Sequence, residues 1–176
     1  MDHLLPAAPW LMALAATVSA AACVGAWRVV PWQGRQSALI MAAAMVALAV
    51  SGGDPRAGLL LGTALLVSAM LGTVGVRGTP AAAMCCHRAL VSLVMALCAF
   101  EGVAAASTDP APAHAHGAGL AGVLPALVIV GTVGVILWTV VAEWLLPPVH
   151  RGRTARLLTI ESWAMAAGVA VMCLGF

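Results

Sequence analysis

The chain has 176 residues, 63% of them hydrophobic and 8% charged, with a mean hydropathy of +1.06. Soluble domains carry about 25% charged residues, so this composition leaves too little polar surface for a water-soluble fold and reads as an integral membrane protein. The net charge of +2 is small and dispersed, which excludes a nucleic-acid-binding surface.

Apolar runs broken by Arg, Pro, Gly and Asp predict an all-α bundle of six transmembrane helices in a single domain, residues 1–176. The first spans 8–27, between the interfacial residues Trp10 and Trp27. Asp2 and His3 precede it without any Lys or Arg, which departs from a cationic signal peptide, so we read it as a helix of the mature chain. The second spans 36–50 and ends at the turn signal Ser51-Gly52-Gly53-Asp54-Pro55. The third spans 57–76 and stops at Arg77-Gly78-Thr79-Pro80. The fourth spans 82–105. A loop from Ala106 to Gly119 follows. The fifth and longest spans 120–146 and is expected either to tilt or to start with a loose turn before Pro125, and the sixth spans 157–176.

All eight basic residues are Arg. The loops after the first, third and fifth spans hold Arg28, Arg35, Arg77, Arg88, Arg151, Arg153 and Arg156, against Arg56 alone on the other side. This positive-inside bias places both termini outside the cytoplasm. The third helix carries a Gly58-x-x-x-Gly62 pattern, which we read as ordinary bundle packing rather than a dedicated dimer face.

The chemistry-bearing residues fall into three groups. The first is ionisable. With about 3.6 residues per turn, Met84, His87, Val91, Val94, Cys98 and Glu101 share one face of the fourth helix, with Met95 at its edge. Ionisable groups in hydrocarbon face the bundle or a wet cavity. Gln36, Ser37, His87, Glu143 and Glu161 therefore make a candidate inner cluster, and Glu101 sits near the outer end. The competing reading pairs Glu143 and Glu161 with Arg88, Arg151, Arg153 or Arg156 at headgroup level. The second group is sulfur: Met41 and Met45, Met95 and Cys98, and Met165 and Met172 recur at helical spacing on three helices. Thioether, thiolate and imidazole suit a soft ion such as Cu(I), although methionine also fills core gaps. The third is Asp109, His114 and His116 in the long outer loop, a donor set able to capture a metal ion, with Asp2 and His3 on the same side. Cys23, Cys98 and Cys173 read as small intramembrane hydrophobes, and Cys85-Cys86 lacks zinc spacing. No nucleotide, hydrolase or zincin motif is present, so no enzymatic activity is expected.

Met41-x-x-x-Met45, His87 with Met95, and Glu161-x-x-x-Met165 together resemble a family of small multi-pass membrane proteins from actinobacteria. Gln36 stands where that family shows His. The resemblance implies a membrane location and no activity. Two functional expectations follow: binding or transport of a soft metal ion, copper, through a Met/His/Cys-lined bundle of the cell membrane; or a non-catalytic accessory or structural subunit of a larger membrane complex. The expected partners are the lipid bilayer and either a second copy of the chain or a larger membrane protein.

Overall fold

A computed structural model describes residues 8–26, 28, 30, 32–52, 54–76, 78–79, 82–106, 118–144 and 152–174. These residues form six helices: α1 (Ala8–Gly25), α2 (Trp32–Ser51), α3 (Pro55–Gly72), α4 (Ala82–Ala106), α5 (Ala118–Trp144) and α6 (Arg153–Leu174). Five, α2 to α6, are long and apolar enough to cross a membrane by length and composition. The apolar part of α1, Trp10–Gly25, falls below that length.

The helix ends show where local chemistry overrules an apolar count. Asp54 caps α3, its carboxylate accepting from the Ala57 N–H at 3.2 Å, and Pro55 follows where a missing N–H is harmless. The same helix stops at Gly72, short of the expected Val76. The Thr73 hydroxyl bonds the Met70 carbonyl at 2.8 Å, and Gly75 then turns the chain with a φ of 73° that suits glycine. Conversely, α2 and α6 each begin four residues before the expected start, at Trp32 and Arg153. The helical backbone continues through Arg35 and Arg156, where an apolar criterion ends too soon. Pro125 lies inside α5, so the expected loose turn is helical. The start of α5 is Ala118, two residues before the expected bound, and the described part of the helix runs to Trp144.

Consecutive helices pack in a ring that α1 and α6 close, and α4 also reaches across it to α2 and α6. That position explains the wide buried arc of α4, which holds Cys85, His87, Arg88, Val91, Ser92, Val94, Met95, Ala96, Cys98 and Ala99. The arc is broader than the single stripe expected: Met84 and Glu101 lie at its margins, half-buried. By contrast α5 turns Ile129, Val130, Leu137 and Trp144 outward, a surface compatible with lipid contact.

Glycines set the closest approaches. A Cβ on Gly62 would lie 2.7 Å from the Phe100 ring, one on Gly58 2.7 Å from Val103, and one on Gly131 2.7 Å from Val94. The GxxxG pattern of α3 is thus occupied by α4 of the same chain and offers no dimer face.

Candidate functional site

The bundle interior has two levels, one polar and one built from sulfur. The polar level is set by α4, which carries His87 and Arg88 in its second turn. These neighbours diverge by about 100° around the helix and meet different partners. Arg88 forms an ion pair with Glu161 of α6, and each side chain is 3% exposed. The same guanidinium nitrogen lies 3.9 Å from Cys23 Sγ of α1. The other terminal nitrogen, Nη1, has no hydrogen-bond partner among the described residues. It lies against Gly34 of α2, where a Cβ would collide with it.

His87 points instead at α5. Its Nε2 is 3.1 Å from Thr139 Oγ1, while Thr139 donates its only hydroxyl proton to the Val135 carbonyl at 2.8 Å. Thr139 must therefore accept, and His87 donates from Nε2, which places a proton on that nitrogen.

These contacts revise the expected inner cluster. Glu161 does pair with one of the arginines considered, Arg88, and the pair is buried inside the bundle, about 12 Å along α6 from its start. Arg88 is therefore buried among the helices, and without it the arginines at or near the span ends stand at six to one. Gln36 is exposed and takes no part. Ser37 is buried, with its hydroxyl turned back to the Gly34 carbonyl at 3.2 Å. The side chain of Glu143 lies outside the described residues, as do Asp2, His3, Asp109, His114 and His116.

The sulfur level follows on the same helices. Met41 and Met45 of α2, Met95 of α4, and Met165 and Met172 of α6 are all at most 3% exposed. Four of them, Met41, Met45, Met95 and Met165, line one small cavity of about 10 Å³. Its remaining wall is alanine, apart from Ser19 of α1. The Ser19 hydroxyl is buried and lacks a partner among the described residues. A cavity of this size is at the lower limit for one water molecule, which also needs two to four polar partners; here a single hydroxyl and thioethers are on offer. Ser92 donates to Met41 Sδ at 3.7 Å and orients that thioether. Gly168 lets Met45 lie against α6, since a Cβ there would be 2.8 Å from the Met45 methyl.

Cys98 sits beyond this cavity and meets Cys173 rather than a methionine, Sγ to Sγ 3.6 Å. Glu101 is half-buried one turn further along α4. Among the described residues, no group of three or more His, Cys, Asp or Glu converges as a metal site.

Arg88 was considered only as an alternative partner for Glu161, and sequence reasoning missed Ser92, Ser19, Gly34 and Cys173 as members of these levels. Spacing held a signal for Ser92: Arg88, Ser92 and Met95 follow the i, i+4, i+7 pattern of one helix face. No family model, curated protein or solved structure matches the chain.

Proposed function

We propose that this chain is a multi-pass protein of the cell membrane whose bundle holds a thiophilic metal ion, Cu(I), between α2, α4 and α6. The observation that carries the reading is the cavity lined by Met41, Met45, Met95 and Met165. Neutral thioethers bind a soft monovalent cation without losing protons, and they disfavour hard ions that demand oxygen. A cavity that suits a water poorly but is walled by four methionine side chains is a candidate seat for a soft ion. The Arg bias orients the bundle with the Arg88–Glu161 level inside and the Cys98 level outside. Asp109, His114 and His116 then fall in the outer loop, where they would gather the ion for the bundle. The actinobacterial family resemblance is compatible with this location and adds no activity to it.

The test is the copper content of the detergent-purified chain after anaerobic Cu(I) loading and desalting. Near-stoichiometric copper, reduced by the loss of the methionine-held equivalent in the M41L/M165L variant, supports the reading. Copper retained equally by that variant, or by neither protein, refutes it and favours a non-catalytic accessory subunit, whose larger partner would then be sought by co-purification.

A further inference from the structure

We propose that Cys98 and Cys173 form a second soft-metal site, a paired-thiol seat for Cu(I) beside the methionine cavity and toward the outer end of the bundle. The two cysteines lie 75 positions apart, on α4 and in the last turn of α6, yet their sulfurs meet at 3.6 Å. Cys98 is 1% exposed and Cys173 is half-buried.

The hydrogen bonding around the pair has a defined direction. Thr132 of α5 gives its only hydroxyl proton to the Val128 carbonyl at 2.7 Å. Its oxygen, 3.0 Å from Cys173 Sγ, must then accept, so Cys173 donates its S–H to Thr132. The Cys173 sulfur is left as the acceptor for the Cys98 S–H. The chain Cys98 to Cys173 to Thr132 to Val128 satisfies both thiols in their neutral form and holds the two sulfurs together. Buried cysteines that serve only as small hydrophobes need no such arrangement.

The two sulfurs are close enough to share one ion after a small opening. Two metal–sulfur bonds of about 2.3 Å, as for zinc, set their sulfurs about 3.8 Å apart at a tetrahedral angle and about 4.6 Å apart when two sulfurs hold the ion in line, so the pair at 3.6 Å parts to admit it. A disulfide would require about 2.05 Å and an oxidant. Binding balances as follows: Cu(I) bonds one thiolate and one thiol, and a single proton leaves. The complex is then neutral, which suits a low-dielectric interior.

The inference borrows the identity of the ion from the reading above, but not the site, and proton release separates the two because thioethers release none. The full chain is titrated anaerobically with Cu(I) supplied as its acetonitrile complex, and released protons are counted with an indicator while ultraviolet thiolate-to-copper absorption is followed. The wild-type chain is expected to release a single proton and develop the absorption. M41L/M165L should keep both signals, and C98A/C173A should lose both while retaining the methionine-held copper. If M41L/M165L keeps both signals but binds as much copper as wild type, the methionine reading fails and the thiol site stands. If C98A/C173A releases as many protons as wild type, the thiol site is overturned whatever the methionines do. Should C98A/C173A fail to fold, the wild-type chain still decides: copper bound without proton release overturns the proposal.

Discussion

The two levels of the bundle are built on the same pair of helices, α4 and α6, yet they obey different rules. At the polar level each group has a particular partner: Arg88 meets Glu161, and His87 meets Thr139. At the sulfur level Met41, Met45, Met95 and Met165 converge on a space rather than on one another. The first level therefore depends on pairing and the second on shape and softness. A buried ion pair contributes little net stability against an apolar replacement, but losing one partner leaves an uncompensated charge. A methionine, in contrast, can become leucine with little change in volume. Stability and ligand chemistry should thus separate cleanly between the levels.

The largest expected effect is at the ion pair. Arg88→Met or Glu161→Gln alone should cost about 3–5 kcal/mol of stability, read as denaturant unfolding in detergent, because one buried charge is stranded. The double variant R88M/E161M should recover most of that loss. If the single and double variants are equally impaired, pairing is not what holds this level together. Gly34→Ala comes next. The new methyl would push on Arg88 Nη1, displacing a side chain that is buried and paired, and about 1–3 kcal/mol should be lost as that pair is strained. A neutral result would mean that Arg88 has an alternative seat.

Thr139→Val should cost about 1–2 kcal/mol, since the His87 Nε2–H loses its acceptor in the interior. The accompanying sign is a change in the His87 ring signals by nuclear magnetic resonance, with Glu161 unaffected. The smallest stability effect belongs to the sulfur level: Met165→Leu should cost less than about 1.5 kcal/mol while removing one thioether from the cavity. Should Met165→Leu prove as destabilising as Glu161→Gln, the contrast between the levels would collapse.

Much of the sulfur level was legible in the sequence, because Met41 and Met45, and Glu161, Met165 and Met172, repeat at helical spacing and all face inward. The six helices were legible for the same reason, since length and hydropathy are local properties. The polar level was legible only in part, because Arg88 stood among four arginines that could pair with Glu161 and nothing local selects a pairing across 73 positions. Arg88 looked like an arginine at a span's edge, and nothing in its own neighbourhood says that Gly34 makes room for it. Glu161 was singled out, but composition alone cannot distinguish a headgroup ion pair from one sealed inside the bundle. Thr132 and Thr139 bond back to their own helix, at 2.7 and 2.8 Å, as hydroxyls in helices commonly do. What the sequence withheld is the consequence: with their protons committed, they become acceptors for Cys173 and His87.

The central claim is that the methionine cavity binds a soft ion through sulfur alone. The most direct measurement is X-ray absorption fine structure at the copper edge on Cu(I)-loaded C98A/C173A protein, in which the thiol pair cannot contribute. A nearest shell made only of sulfur, lost when Met41 and Met165 are also changed to Leu, is the predicted result. A shell of nitrogen or oxygen, or copper unchanged by the methionine substitutions, would contradict the claim.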